Sequence, residues 1–180
     1  MNHMVNLKAL GLLALFASGS FALAPLVQAA PGPKPEDRGN GNSAAENVSA
    51  LNPITTGAHN TAHGWFSLFS NTNGAENTAD GFQALYSNTT GFGNTATGSA
   101  ALSTNTTGDG NTAYGYTALT NSTGFNNTAN GYAALQQNTT GNFNTANGFG
   151  TLFSNTIGNY NTASGFDALL AKGFRAKKLG

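Results

Sequence analysis

Cysteine is absent from the whole 180-residue chain, so neither a disulfide nor a thiolate metal site can hold its fold together. Charge is scarce as well: 8% of residues are charged and the formal net charge is +0. Between Asn60 and Ala171 stand four acids, Glu76, Asp80, Asp109 and Asp167, and not one Lys or Arg. A surface without cations cannot neutralise a phosphate backbone, which excludes nucleic acid as a partner. No Ser/His/Asp arrangement and no carboxylate pair recurs where a pocket could form, so the chain does not read as an enzyme and no cofactor is expected. His59 and His63 stand four apart, but the pairing occurs only once and without a nearby acid, so no metal site is expected there.

Long apolar runs are equally scarce. The one present, residues 9–27, follows Lys8 and precedes Val27-Gln28-Ala29, the layout of a secretory signal with small residues at its cleavage point. The expected organisation is a signal peptide over residues 1–29 and a flexible leader over 30–42, rich in Pro, Gly and charge. A repeat array over 43–176 and a basic tail over 177–180 complete it. An uncleaved membrane anchor is the alternative, against which Gly11, Ser18, Gly19, Ser20 and Pro25 weigh as poor spanning residues. Cleavage gives a secreted chain of net charge about −1, at the cell surface or beyond, without membrane attachment.

What is abundant is Asn, Thr and Gly in strict periodicity. The triplet Asn-Thr-Ala begins at Asn60, Asn77, Asn94, Asn111, Asn127, Asn144 and Asn161, with five steps of 17 residues and one of 16. The consensus is N-T-A-x-G-[aromatic]-x-A-L-x-x-N-T-T-G-x-x, and the short step falls between Leu119 and Asn121. A worn copy at 43–59 precedes these units, and the last unit changes character after Leu169, as expected of array ends. Seventeen residues are too few for a helix pair, and Gly punctuation every few residues disfavours long helices. The period predicts an all-β fold, a parallel β-solenoid or β-roll with one coil per unit. Variable positions at the fourth, seventh and tenth places of the coil allow a short helical turn within it.

Each column of this stack has an expected role. Leu68, Leu85, Leu102, Leu119, Leu135 and Leu152 would fill the interior, and Asn71, Asn88, Asn105, Asn121, Asn138 and Asn155 would stack as an amide ladder, as would the Asn that opens each coil. Gly at the fifth place and at the later turn would mark corners needing positive φ or close packing. The aromatic column Trp65, Phe82, Tyr116, Tyr132, Phe149 and Phe166 is expected to face the core. A second set, Phe69, Tyr86 and Phe153, is expected on the surface as a candidate interface. Lys172, Arg175, Lys177 and Lys178 join it at the far end, opposite Glu36, Asp37 and Glu46 near the start, an arrangement that favours head-to-tail contact.

The run A-x-G-[FY]-x-A-L, joined by N-T-T-G turns to the next N-T-A, resembles the head repeats of trimeric autotransporter adhesins. It is also similar to Asn-Thr-Gly repeats of bacterial surface and tail-fibre proteins, and in general design to curli-type fibre subunits. The resemblance covers about 43–176 and implies a parallel β-roll that binds surfaces. The chain differs from those heads in carrying polar residues such as Asp80 and Asn130 where they place an aliphatic one. The expected function is that of an extracellular structural repeat protein that self-associates into a fibre or oligomer. The alternative is an adhesin-like module that recognises a surface glycan.

Overall fold

The computed structural model describes residues 36–37, 42–45, 50–51 and 56–170. The signal peptide, most of the leader, Glu46 and the basic residues Lys172, Arg175, Lys177 and Lys178 lie outside the described residues. Nine short strands form one sheet in chain order. They are β1 (Glu36–Asp37), β2 (Ser43–Ala45), β3 (Thr61–His63), β4 (Thr78–Asp80), β5 (Thr95–Thr97), β6 (Thr112–Tyr114), β7 (Thr128–Asn130), β8 (Thr145–Asn147) and β9 (Thr162–Ser164). From β3 to β9 every neighbouring pair is parallel and in register, Thr beside Thr and Ala beside Ala, and β2 joins them in parallel. The fold is therefore a parallel β-solenoid of all-β class, each Asn-Thr-Ala triplet supplying one rung. At the strand spacing of about 4.8 Å, eight parallel rungs extend roughly 34 Å.

No helix occurs among the described residues, so the helical turn that the variable positions allowed does not form. Consecutive tight turns take its place. In the second full coil, Gly81 (φ 135), Gln83 (φ 57) and Leu85 (φ 51) adopt positive φ at alternate positions. The intervening N–H groups close turns within the coil, Ala84 onto the Gly81 carbonyl (3.3 Å), Tyr86 onto Gln83 (3.3 Å) and Asn88 onto Leu85 (3.1 Å). The others reach neighbouring coils: Gln83 donates to the Trp65 carbonyl (2.9 Å) and Leu85 to that of Ala101 (3.0 Å). Alternation thus satisfies every second N–H locally and the rest along the stack, leaving no row of buried orphans.

The Leu column adopts this left-handed conformation in every coil, from Leu51 to Leu169. For an L-residue that costs about 1 kcal/mol. Leu68, Leu85, Leu102, Leu119 and Leu135 are nevertheless completely buried, and burial of a Leu side chain stabilises by about 1.5–3 kcal/mol, so burial wins. The apolar core is otherwise alanine: the strand Ala (Ala62, Ala79, Ala96, Ala113, Ala129, Ala146) and the Ala before each Leu (Ala84, Ala101, Ala118, Ala134). Where that second column carries a hydroxyl, the group turns to a backbone carbonyl, as Ser67 does to Gly64 (2.9 Å).

The two glycine columns have different causes. Gly81 combines positive φ with a neighbour so close that a Cβ would stand 2.7 Å from the Gly98 carbonyl carbon. Gly91, in the later turn, has no positive φ; there a Cβ would strike the Asn88 side chain and lie 2.6 Å from the Gly108 oxygen. The first column needs freedom and space, the second space alone.

Candidate functional site on the faces of the coil stack

Two polar ladders run through the interior. The first is made by the Asn that opens each coil. Asn94 donates from Nδ2 to Asn77 Oδ1 (3.1 Å) and to the Gly108 carbonyl (2.8 Å). Its Oδ1 accepts from the Asn111 backbone N–H (2.9 Å) and from Asn111 Nδ2 (3.2 Å). Both donors and both acceptor sites of a completely buried amide are thereby used, which offsets the desolvation penalty of placing it in a thin core. The second ladder is that of the N-T-T-G turns. Asn105 donates to Asn88 Oδ1 (2.9 Å) and to Gly108 O (3.0 Å), and accepts from the Gly108 N–H (3.1 Å). Gly108 O thus sits between the ladders and takes a hydrogen bond from each.

The structure places Asn71, Asn88, Asn105, Asn138 and Asn155 in this second ladder, each buried. Asn121, expected among them, is instead exposed, and buried Ser122 takes its rung. The Ser122 hydroxyl accepts from Asn138 Nδ2 (3.2 Å) and from the Gly124 N–H (3.2 Å). The reason is the turn after the Leu, which fixes the ladder residue three positions on: Ser122 N–H bonds the Leu119 carbonyl at 3.2 Å. The missing residue therefore falls between Ser122 and Gly124, not between Leu119 and Asn121, and the strands on either side stay in register.

The first coil likewise starts one residue earlier than its worn sequence suggests. Ser43 pairs with Thr61 and Ala44 with Ala62, so Asn42 is its opening Asn. Asn42 Oδ1 accepts from the Asn60 N–H (2.8 Å), and its Nδ2 reaches Gly57 O (2.7 Å). That coil, from Asn42 to His59, is one residue longer than the 17 of the consensus, the extra residue lying between Ala44 and Leu51.

The aromatic column expected in the core is on the outside. No aromatic side chain between residues 56 and 170 is buried, and Trp65, Phe82, Tyr116, Tyr132, Phe149 and Phe166 are all exposed. One Leu, two small residues and two Asn amides already fill a typical coil, and a ring does not fit beside them. Outside, the rings stack along the axis: Tyr116 on Tyr132 (5.3 Å between centroids, 18° between planes), Tyr132 on Phe149 (4.8 Å, 5°) and Phe149 on Phe166 (5.0 Å, 10°). Ser99 interrupts this ridge between Phe82 and Tyr116. Phe69 and Tyr86, two of the expected interface residues, stack at 5.5 Å and 4° elsewhere on the coil, and Phe143 on Tyr160 forms a third stack near the later turn. Phe153, the remaining member of that set, is partly exposed.

The outer face of the sheet is polar. Thr61, Thr78, Thr95, Thr112, Thr128, Thr145 and Thr162 form one column, and strands β4 to β9 show it exposed beside a buried Ala. The two ends of the sheet differ. At the start β1 pairs antiparallel with β2, Glu36 opposite Ala44 and Asp37 opposite Ser43, so a parallel coil added there head to tail would meet a strand of reversed direction. At the other end β9 has a single strand neighbour among the described residues.

His59 and His63 are both exposed, and among the described residues no three His, Asp or Glu side chains come together to hold a metal ion. Together these features define a class, the parallel β-solenoid repeat protein with a solid core and aromatic outer ridges. Comparison with protein-family models, with curated proteins and with solved structures finds no match to the chain.

Proposed function

We propose that this chain is an extracellular structural protein that acts by self-association into a fibre or oligomer, contributing to a surface coat, matrix or adhesion. The observation that supports this reading most is the exposure of twelve aromatic side chains, several in continuous stacks, around a core of Leu, Ala and Asn with a few hydroxyls. Apolar rows of this extent on a folded surface mark association sites. Sedimentation velocity and electron microscopy of the exported form test it. Association that increases with concentration is expected, into a closed oligomer or a fibre; a strict monomer from micromolar to millimolar concentration overturns the reading.

A second reading, an adhesin-like module that recognises a surface glycan through its lateral face, is favoured by the threonine column. Exposed threonines repeat along it at every rung from Thr78 to Thr162, whereas Thr72, Thr89 and Thr139 of the later turn each bond a carbonyl of the next coil at 2.9 Å. Polysaccharide pull-down with Thr128→Val and Thr145→Val separates the readings: retention by a glycan that these changes abolish supports the second.

A further inference from the structure

We infer that the ridge at the sixth position of the coil is a homotypic interface, along which two copies of this chain lie side by side, in register and pointing the same way. The inference rests on the self-association reading and names its surface. The ridge consists of Trp65 and Phe82, a gap at Ser99, then Tyr116, Tyr132, Phe149 and Phe166.

Three properties select the occupant. First, the rings from Tyr116 to Phe166 lie face to face, with neighbouring planes within 18° of one another, so their faces cover each other and their edges point outward. A sugar ring stacks on an aromatic face, and along the inside of this ridge no face is free. Second, the ring step of 4.8–5.3 Å is set by the coil itself. The surface that matches it from Tyr116 to Phe166 is another stack of the same coils. Third, no Lys or Arg lies between Asn60 and Ala171, so no concentration of cations opposes the approach of a second ridge.

Orientation follows from the gap. With both copies running the same way, all six rings meet rings and Ser99 faces Ser99 of the other copy. In a reversed pair centred on Tyr116 each Ser99 faces Tyr132, and in one centred on Ser99 or between Tyr132 and Phe149 only four rings per copy meet. The arrangement is isologous and closed. Each ring is about half exposed or more, so six rings per copy contribute on the order of 600 Å² a side. That is at the lower end of specific interfaces, and a reversible, concentration-dependent pair is expected.

The chain contains its own control for the test, because Ser99 shows that a coil folds with serine at this place. Wild type, Tyr132→Ser/Phe149→Ser and Phe69→Ser/Tyr86→Ser are compared by sedimentation equilibrium, with circular dichroism to establish folding. The expected result is a dimer for wild type and for the Phe69/Tyr86 variant, and a monomer for the ridge variant. The single change Phe149→Ser, should the double variant not fold, is expected to weaken the dimer about tenfold. Because the chain has no cysteine, Ser99→Cys and Phe166→Cys, each cross-linked separately with a short bis-maleimide, report orientation: a reversed pair can bring at most one of the two positions onto its own copy, so efficient cross-linking at both supports the in-register pair, and its absence at either in a proven dimer overturns it. Association of the ridge variant equal to wild type overturns the ridge and leaves self-association standing; a monomeric wild type removes both.

Discussion

At the residue scale the unusual feature is how much of the interior is amide. A buried Asn is tolerated here because the stack hands each one the partners it lacks: Asn94 alone joins Asn77, Gly108 and Asn111. Replacing Asn94 by Asp removes both Nδ2 donors and sets a carboxylate against the Asn77 and Gly108 oxygens. The expected loss is about 3–5 kcal/mol of unfolding free energy by urea titration, whereas Asn147→Asp on the exposed face, where the side chain only accepts from Asn130, changes it by less than about 0.5 kcal/mol. Leu102 is the large apolar side chain of its coil's interior, so Leu102→Ala is expected to cost about 2–5 kcal/mol in the same titration. Its backbone gains nothing in return, because Ala at φ 51 is strained as Leu is.

At the element scale the unit is the coil, and the shortened one at 111–126 shows what its turn contributes. Ser122 offers one hydroxyl where other coils offer an amide, and Gly124 O receives Asn111 Nδ2 (2.8 Å) without the second donor that Gly108 O has from Asn105. Changing Ser122 to Asn and inserting one Thr after Thr123 restores the N-T-T-G turn. The expected outcome is a gain of about 1 kcal/mol, one net buried hydrogen bond, read as a rise of several degrees in the melting temperature. A fall would mean that the short turn is optimal in its own context and that the ladder matters less than its geometry suggests.

At the scale of the molecule each coil touches only the coils beside it, which makes stability close to a sum over neighbours. Deleting residues 94–110 joins Gly93 to Asn111 and removes one whole rung while leaving every remaining column aligned. The shortened protein is expected to keep the same circular dichroism per residue and to lose stability in proportion to one lost coil. Deleting about half a coil from the same place breaks the column alignment in every contact across the junction and is expected to abolish cooperative unfolding. Equal behaviour of the two deletions would contradict the column-by-column account. Association belongs to this scale too, because single rings are weak and the ridge acts through its repetition.

The 17-residue period by itself determined the parallel in-register sheet, since Thr, Ala, Leu and Asn recurring at one interval can satisfy one another only by lying directly above their own kind. It also determined the Leu interior, the ladder of the Asn that opens each coil and most of the second Asn ladder. Only the tertiary structure decided which side the aromatics take, because a hydrophobic column reads the same whether the coil has room for it or not, and the Leu, Ala and Asn side chains had already filled the space. It alone decided that Ser122 rather than Asn121 enters the ladder and that Asn42 opens the first coil. In both places the residue that turns inward is fixed by hydrogen bonds, Ser122 to Leu119 and Asn60 to Asn42, and not by the resemblance of letters to a consensus.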